Sequence, residues 1–285
     1  MRHGVSILLF VTLVWGTTFP LLKSAAGSLS GVEISALRFI VATACMAPFL
    51  LKASRQAWKD GTLLGLLALV SYVAQAYGLQ HISSNRSAFL TSLNVLMVPL
   101  LGVLAGARLA WEVVLAAAVA CLGIGLMSWE GGGNVAGDTA TVVCALAYAL
   151  YVIALSRCSH RHDARHLAAT QIAVMAIAGT AWLLVSGSAD GALQTLANRA
   201  TPHASTLLYL GAVATAGMLF LQAVGQRQVS ADKAALIYAM EPVFAALFGW
   251  LWLDEQLGWR GALGGALVIG AIVLSEWRAA NRAAA

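Results

Sequence analysis

Apolar residues run along this chain in long stretches, and polar or charged residues are confined to the short breaks between them. A helix that crosses a bilayer needs about 20 mostly apolar residues. Ten stretches meet or approach that length, at roughly 5–23, 32–51, 61–80, 85–106, 111–129, 136–156, 165–186, 204–224, 231–252 and 259–277. The breaks carry turn and charge signals, as in Lys52 to Asp60, Glu130 to Asn134 and Arg157 to His166. No break is long enough to hold a soluble domain. The pattern predicts an all-α integral membrane protein of ten transmembrane helices. The first stretch follows a basic start, yet it is long enough to span and is expected to be a retained helix rather than a leader.

The pattern also repeats. Gln75-Ala76 opens the run Tyr77-Gly78-Leu79-Gln80-His81-Ile82-Ser83, and Gln222-Ala223 opens Val224-Gly225-Gln226-Arg227-Gln228-Val229-Ser230. A shift of 147 residues holds this register without a gap for about fifty residues, pairing Gln75 with Gln222, Ser83 with Ser230 and Arg86 with Lys233. Chance identities among Ala, Leu and Gly are common in apolar sequence, so the polar pairs and the register carry the match. Ten spans in two halves, 1–132 and 133–285, give five each. Five is odd, so the second half is expected to enter the membrane upside down relative to the first. Inverted repeats of this kind build carriers that open alternately to either side.

Composition agrees with a bilayer setting. Hydrophobic residues make up 60% of the 285 and charged residues 10%, with a mean hydropathy of +0.81. Soluble domains usually carry about 25% charged residues. The net charge of +5 is therefore read as loop lysines and arginines, not as a nucleic-acid surface. With the N-terminus inside, twelve basic residues fall in inner segments and four in outer loops, with Arg38 alone inside a span. That bias predicts both termini on the cytoplasmic side of a bacterial-type inner membrane.

Candidate chemistry is sparse. Charges inside the bilayer are functional candidates by default, and only Arg38 and Glu241 lie well within spans. Glu241 precedes Pro242, where a helix is expected to break; it is placed either to receive a substrate amino group or a proton, or to pair with Arg38. Arg38 is placed either to bind a substrate carboxylate or to anchor its helix, and it lies near enough to the outer interface to snorkel. The amides Gln75, Gln222 and Asn94, the last at the repeat position of Glu241, suit a zwitterion or helix–helix bonding. Aromatic residues gather along the same spans: Trp15, Tyr72, Tyr77, Tyr148, Tyr151, Tyr238 and Phe244. The expected substrate-binding set is Trp15, Arg38, Gln75, Tyr77, Asn94, Tyr148, Tyr151, Gln222, Tyr238 and Glu241. A mostly apolar pocket with a few polar groups suits a small amphipathic metabolite.

Other signals narrow the class. The chain has no GxxxxGK[ST], HExxH or GxSxG string, so a carrier is expected rather than an ATPase or membrane enzyme. No cofactor and no metal are expected. Cys45, Cys121, Cys144 and Cys158 are scattered through apolar stretches as small packing residues, and His160, His162 and His166 have only Asp163 to complete a ligand set. Both halves lie in one chain, so a functional monomer is expected.

Several strings carry a family resemblance. Trp15-Gly16-Thr17-Thr18-Phe19-Pro20, Leu37-Arg38-Phe39, Ala147-Tyr148-Ala149-Leu150-Tyr151 and Glu241-Pro242 followed by Gly249 and Asp254-Glu255-Gln256-Leu257 resemble signatures of the drug/metabolite transporter superfamily. Within it the chain resembles the ten-helix EamA-like exporters, and in length and pattern the YddG-type aromatic amino-acid exporters. That resemblance implies export of amino acids, aromatic ones preferred, and related small metabolites by alternating access. The alternative is efflux of toxic organic cations or drugs. One departure is that Asn94-Val95 and Arg108 stand where the second repeat has Glu241-Pro242 and Glu255.

Overall fold

A computed structural model describes residues 2–104, 111–128, 134–185, 192–253 and 258–284. Ten helices follow the ten apolar stretches: α1 (Arg2–Gly16 and Thr18–Ala25), α2 (Gly31–Leu50), α3 (Arg55–His81), α4 (Ser84–Ser92 and Asn94–Leu104) and α5 (Trp111–Ser128). The second half holds α6 (Val135–Cys158), α7 (Ala164–Val185), α8 (Ala204–Leu208, Tyr209–Gly217 and Met218–Gln226), α9 (Ala231–Tyr238 and Glu241–Leu253) and α10 (Trp259–Ala284). A short helix, Ala192–Ala200, precedes α8. Among the described residues eight helices are long and apolar enough to cross a membrane, and the apolar parts of α5 and α10 are shorter. Arg108, Gly106, Asp254 to Leu257 and the join between the halves lie outside the described residues.

Polar residues set the helix ends. Ser30 accepts from the Glu33 amide while Glu33 accepts from the Ser30 amide, a capping box at the start of α2. Ser54, Ser83 and Asn134 cap α3, α4 and α6 with side-chain oxygens, each satisfying an amide that the helix itself leaves free.

Among the described residues four helices depart from a straight α-helix. In α1 the hydroxyls of Thr17 and Thr18 bond back to Val14 and Trp15, and Pro20 has no amide to give Gly16, so the helix breaks at Thr17. In α9 Pro242 cannot bond the Tyr238 carbonyl, and the break falls at Ala239 and Met240, just before Glu241. Pro242 thus lies in the first turn of the second half-helix, just after Glu241, where a missing amide costs nothing. In α4 the break comes at the equivalent place, Leu93, where Asn94 Nδ2 donates to the Thr91 carbonyl at 2.9 Å. The fourth departure is a π-helical stretch in α8, Tyr209–Gly217, which the apolar pattern did not announce.

Packing is built on small residues, and it is paired between the halves. The principal contacts run between α3 and α6, α3 and α7, α2 and α7, and α5 and α10. A methyl group on Gly78 of α3 would stand 3.2 Å from the Gly137 carbonyl oxygen of α6, and one on Gly225 of α8 would stand 3.3 Å from that of Gly4 in α1. On α5 a methyl at Gly123 would meet the Gly264 carbonyl of α10 at 2.5 Å. Backbones this close leave no room for a side chain, which is how membrane helices pack without a hydrophobic drive between them.

Candidate functional site

Where the broken helices meet, α1, α2, α3, α4, α6 and α9 line a partly open cavity of about 30 Å³. Its charged and aromatic wall is Trp15, Arg38, Tyr72, Tyr148 and Glu241, and its polar remainder is Thr18, Ser71, Gln75 and Thr91. The space suffices for about two water molecules. A metabolite needs the walls to part.

Arg38 does not snorkel. It is only 2% exposed, and its guanidinium turns inward onto α8, where Nε donates to Thr215 Oγ1 at 3.0 Å and Nη2 to the Leu210 carbonyl at 3.4 Å. The same guanidinium carbon lies 4.7 Å from the centre of the Tyr72 ring, a cation–π contact. The guanidinium stays inside because α8 supplies both acceptors within the core.

Glu241 opens the second half of α9 and is 9% exposed. Among the described residues no ion pair joins it to Arg38 and no hydrogen bond reaches its carboxylate, so the structure does not make the pairing that the sequence left open. A carboxylate and a guanidinium therefore share one cavity with their charges unjoined.

The aromatic wall is a cluster. Trp15 meets Tyr148 edge-on at 6.1 Å and Tyr238 at 5.8 Å, and Tyr148 stacks on Tyr151 at 5.9 Å. Trp15 Nε1 donates to the Ala214 carbonyl at 2.9 Å. Gln222 Nε2 donates to the Tyr148 hydroxyl at 3.0 Å; the Tyr151 hydroxyl lies within bonding distance of Gln222 Oε1 and Gln171 Oε1. Tyr238 donates to Gln226, which in turn donates to the Val152 carbonyl.

The expected residues therefore sort themselves by place. Trp15, Arg38, Gln75, Tyr148 and Glu241 line the cavity. Tyr151, Gln222 and Tyr238 stand directly behind that wall. Asn94 is buried behind Thr91, with its Oδ1 lacking a partner among the described residues. Tyr77 does not join them. It is 44% exposed and packs on His81 at 4.4 Å, because two residues along a helix from Gln75 is more than half a turn around it. The sequence reading missed Thr18, Ser71 and Thr91 as wall residues, and Gln171, Thr215 and Gln226 as their supports. Single hydroxyls and amides in apolar helices gave no spacing signal.

The sequence profile of the EamA-like transporter family matches residues 2–129 and 135–277. Two proteins of Archaeoglobus fulgidus, each described as an uncharacterised transporter, align over nearly the whole chain. One is 27% identical over 95% of this chain and 85% of its own length, the other 23% identical over 98% and 97%. A putative permease-like protein, YdzE of Bacillus subtilis, is 31% identical over 24% of this chain and 86% of its own length. A solved crystal structure at 17% identity superposes with a TM-score of 0.75 over 95% of this chain and 96% of that one, which is a likeness of fold.

Proposed function

With one family's profile covering both halves, the chain belongs to the EamA-like transporter family, and from that we propose a secondary carrier that exports amino acids, aromatic ones preferred, and related small metabolites across a bacterial-type inner membrane. The observation that carries this reading is the cavity with Arg38 and Glu241 on its wall, opposite in charge and not joined to each other. A zwitterion answers both: its carboxylate to Arg38, its ammonium to Glu241. Trp15, Tyr72 and Tyr148 supply flat apolar surface for an aromatic side chain.

The mechanism proposed is alternating access. The cavity is too small for such a substrate as it stands, so transport requires one end of the helix cluster to open at a time. Five-helix halves of opposite orientation would give two related packings for that exchange, with both termini cytoplasmic and one chain sufficient. Glu241 is the group able to carry a proton with or against the substrate. No covalent step is involved.

A second reading, efflux of organic cations, draws on Glu241 beside Trp15, Tyr148 and Tyr238, since aromatic faces attract cations. Arg38 argues against it by placing a fixed positive charge in the same cavity.

The test is uptake of labelled phenylalanine or tryptophan into proteoliposomes, with and without an imposed pH gradient, against a Glu241→Gln variant. Saturable uptake supports the amino-acid reading, and gradient dependence lost in the variant supports coupling through Glu241. A well-folded preparation that moves neither compound overturns the amino-acid reading in favour of cations.

A further inference from the structure

The two halves are related through their glycines. On α3 a methyl at Gly65 would lie 2.6 Å from the Gln171 carbonyl oxygen and 2.9 Å from Val174 Cβ. On α8 a methyl at Gly211 would lie 2.8 Å from the Arg38 carbonyl oxygen and 2.6 Å from Val41 Cβ. Gly65 and Gly211 are thus counterparts, as are Gln171 and Arg38. Between three and four turns of helix further on, Gly78 and Gly225 are counterparts by their contacts with Gly137 and Gly4. The first pair is 146 residues apart and the second 147, so α8 carries one residue more than α3 between these points.

That extra residue has a physical form. The α3 stretch is continuous α-helix, whereas α8 is π-helical over Tyr209–Gly217. A π-helical turn accommodates an inserted residue without shifting the helix on either side, and such turns are frequent at functional sites. Within it the Thr215 hydroxyl donates to the Leu210 carbonyl, five residues back, at 2.7 Å. The two acceptors of Arg38 are that hydroxyl oxygen and that carbonyl. In the other half Gln171, the counterpart of Arg38, faces regular helix, and its Nε2 has no partner among the described residues.

We propose that the one-residue insertion in α8 is the specificity device of the cavity, with Thr215 as the positioning residue that holds Nε of Arg38, beside the Leu210 carbonyl on Nη2, so that the other edge of the guanidinium receives a substrate carboxylate. Nε and Nη2 share one edge of the planar guanidinium, which leaves the Nη1 and Nη2 end for a second bidentate partner. Tyr72 beneath the plane fixes the tilt. The inference rests on the zwitterion reading for its substrate, and on the π-helical contacts for its mechanism.

The experiment compares wild type, Thr215→Val and Thr215→Ser in proteoliposomes, with phenylalanine and with phenethylamine, which lacks the carboxylate. Loss of a hydrogen bond to a charged group is expected to raise KM for phenylalanine on the order of tenfold in the valine variant, with serine restoring it and phenethylamine unaffected. Equal kinetics in all three proteins, or an equal loss for both compounds, overturns the proposal. Should the valine variant not purify as monodisperse protein, Thr215→Ala replaces it. If wild type moves neither compound, the zwitterion reading fails, and the clamp is read from the rate at which phenylglyoxal modifies Arg38, measured by peptide mass spectrometry. Faster modification in the valine variant than in wild type or serine upholds the clamp, and equal rates overturn it.

Discussion

Asn94 and Glu241 occupy the same place in two broken helices, each the first residue of the second half-helix. An N-terminal half-turn favours negative charge, and of the two only α9 puts a carboxylate there. Asn94 instead spends its amide on the Thr91 carbonyl. The breaks are shared between the halves and the charge is not, so the cavity is chemically one-sided.

Glu241→Gln should therefore separate function from stability. Its carboxylate accepts no hydrogen bond from the described residues, so the glutamine variant should melt within error of wild type while transport falls by about tenfold or more. Thermal unfolding and uptake on the same preparation check this. A large loss of melting temperature would make Glu241 a structural residue.

Gly211→Val should cost about 1–3 kcal/mol. The new side chain would meet Val41 and the Arg38 carbonyl at less than van der Waals distance, and neither backbone can retreat. Gly125→Ala is the control, because its methyl would meet only Phe89 ring atoms at 3.6 and 3.9 Å and should be near neutral. Comparable losses in the two variants would contradict the close approach of α2 and α8.

Arg86 grips Asp138 through Nε at 2.6 Å and Nη2 at 2.8 Å, tying the start of α4 to the start of α6. Both side chains are about a quarter exposed, so screening limits the gain. A double-mutant cycle with Arg86→Ala and Asp138→Ala should give a coupling of about 1 kcal/mol or less, shrinking with added salt. A coupling that salt leaves untouched would mean the pair is shielded from solvent.

Asp163, in the loop before α7, accepts from the Arg165 side chain and amide, and these bonds hold its carboxyl well down, to about 2 from an ordinary 3.8. A lowered carboxylate stabilises the fold above its unfolded value and loses that contribution as pH falls through the folded one. The melting difference between wild type and Asp163→Asn should be constant from neutral pH to about 4 and close towards pH 2. A difference that persists at pH 2 would assign the effect to something other than the charge.

Much of this molecule could be read from the order of its residues. Apolar stretches of spanning length located all ten helices, because a bilayer offers backbone groups no partner outside the helix. Pro242 pointed to the break before Glu241 for the same reason, through a missing donor. Five of the ten expected site residues line the cavity, and those five are where an unusual residue type, Trp, Arg, Gln, Tyr or Glu, interrupts an apolar run. Tyr77 lies away from the cavity because residue type says nothing of which side of a helix faces inward.

What the sequence determined by itself was the set of apolar helices and their places along the chain, since those follow from local hydropathy. Only the tertiary structure decided where Arg38 points and what holds it. Its partners, Thr215 and Leu210, lie 177 and 172 residues away, on a π-helical stretch of α8 that the apolar pattern does not reveal. Local pattern fixes a helix because its bonds are local; a cavity is made where distant helices meet, and its chemistry is set by contacts that no spacing along the chain records.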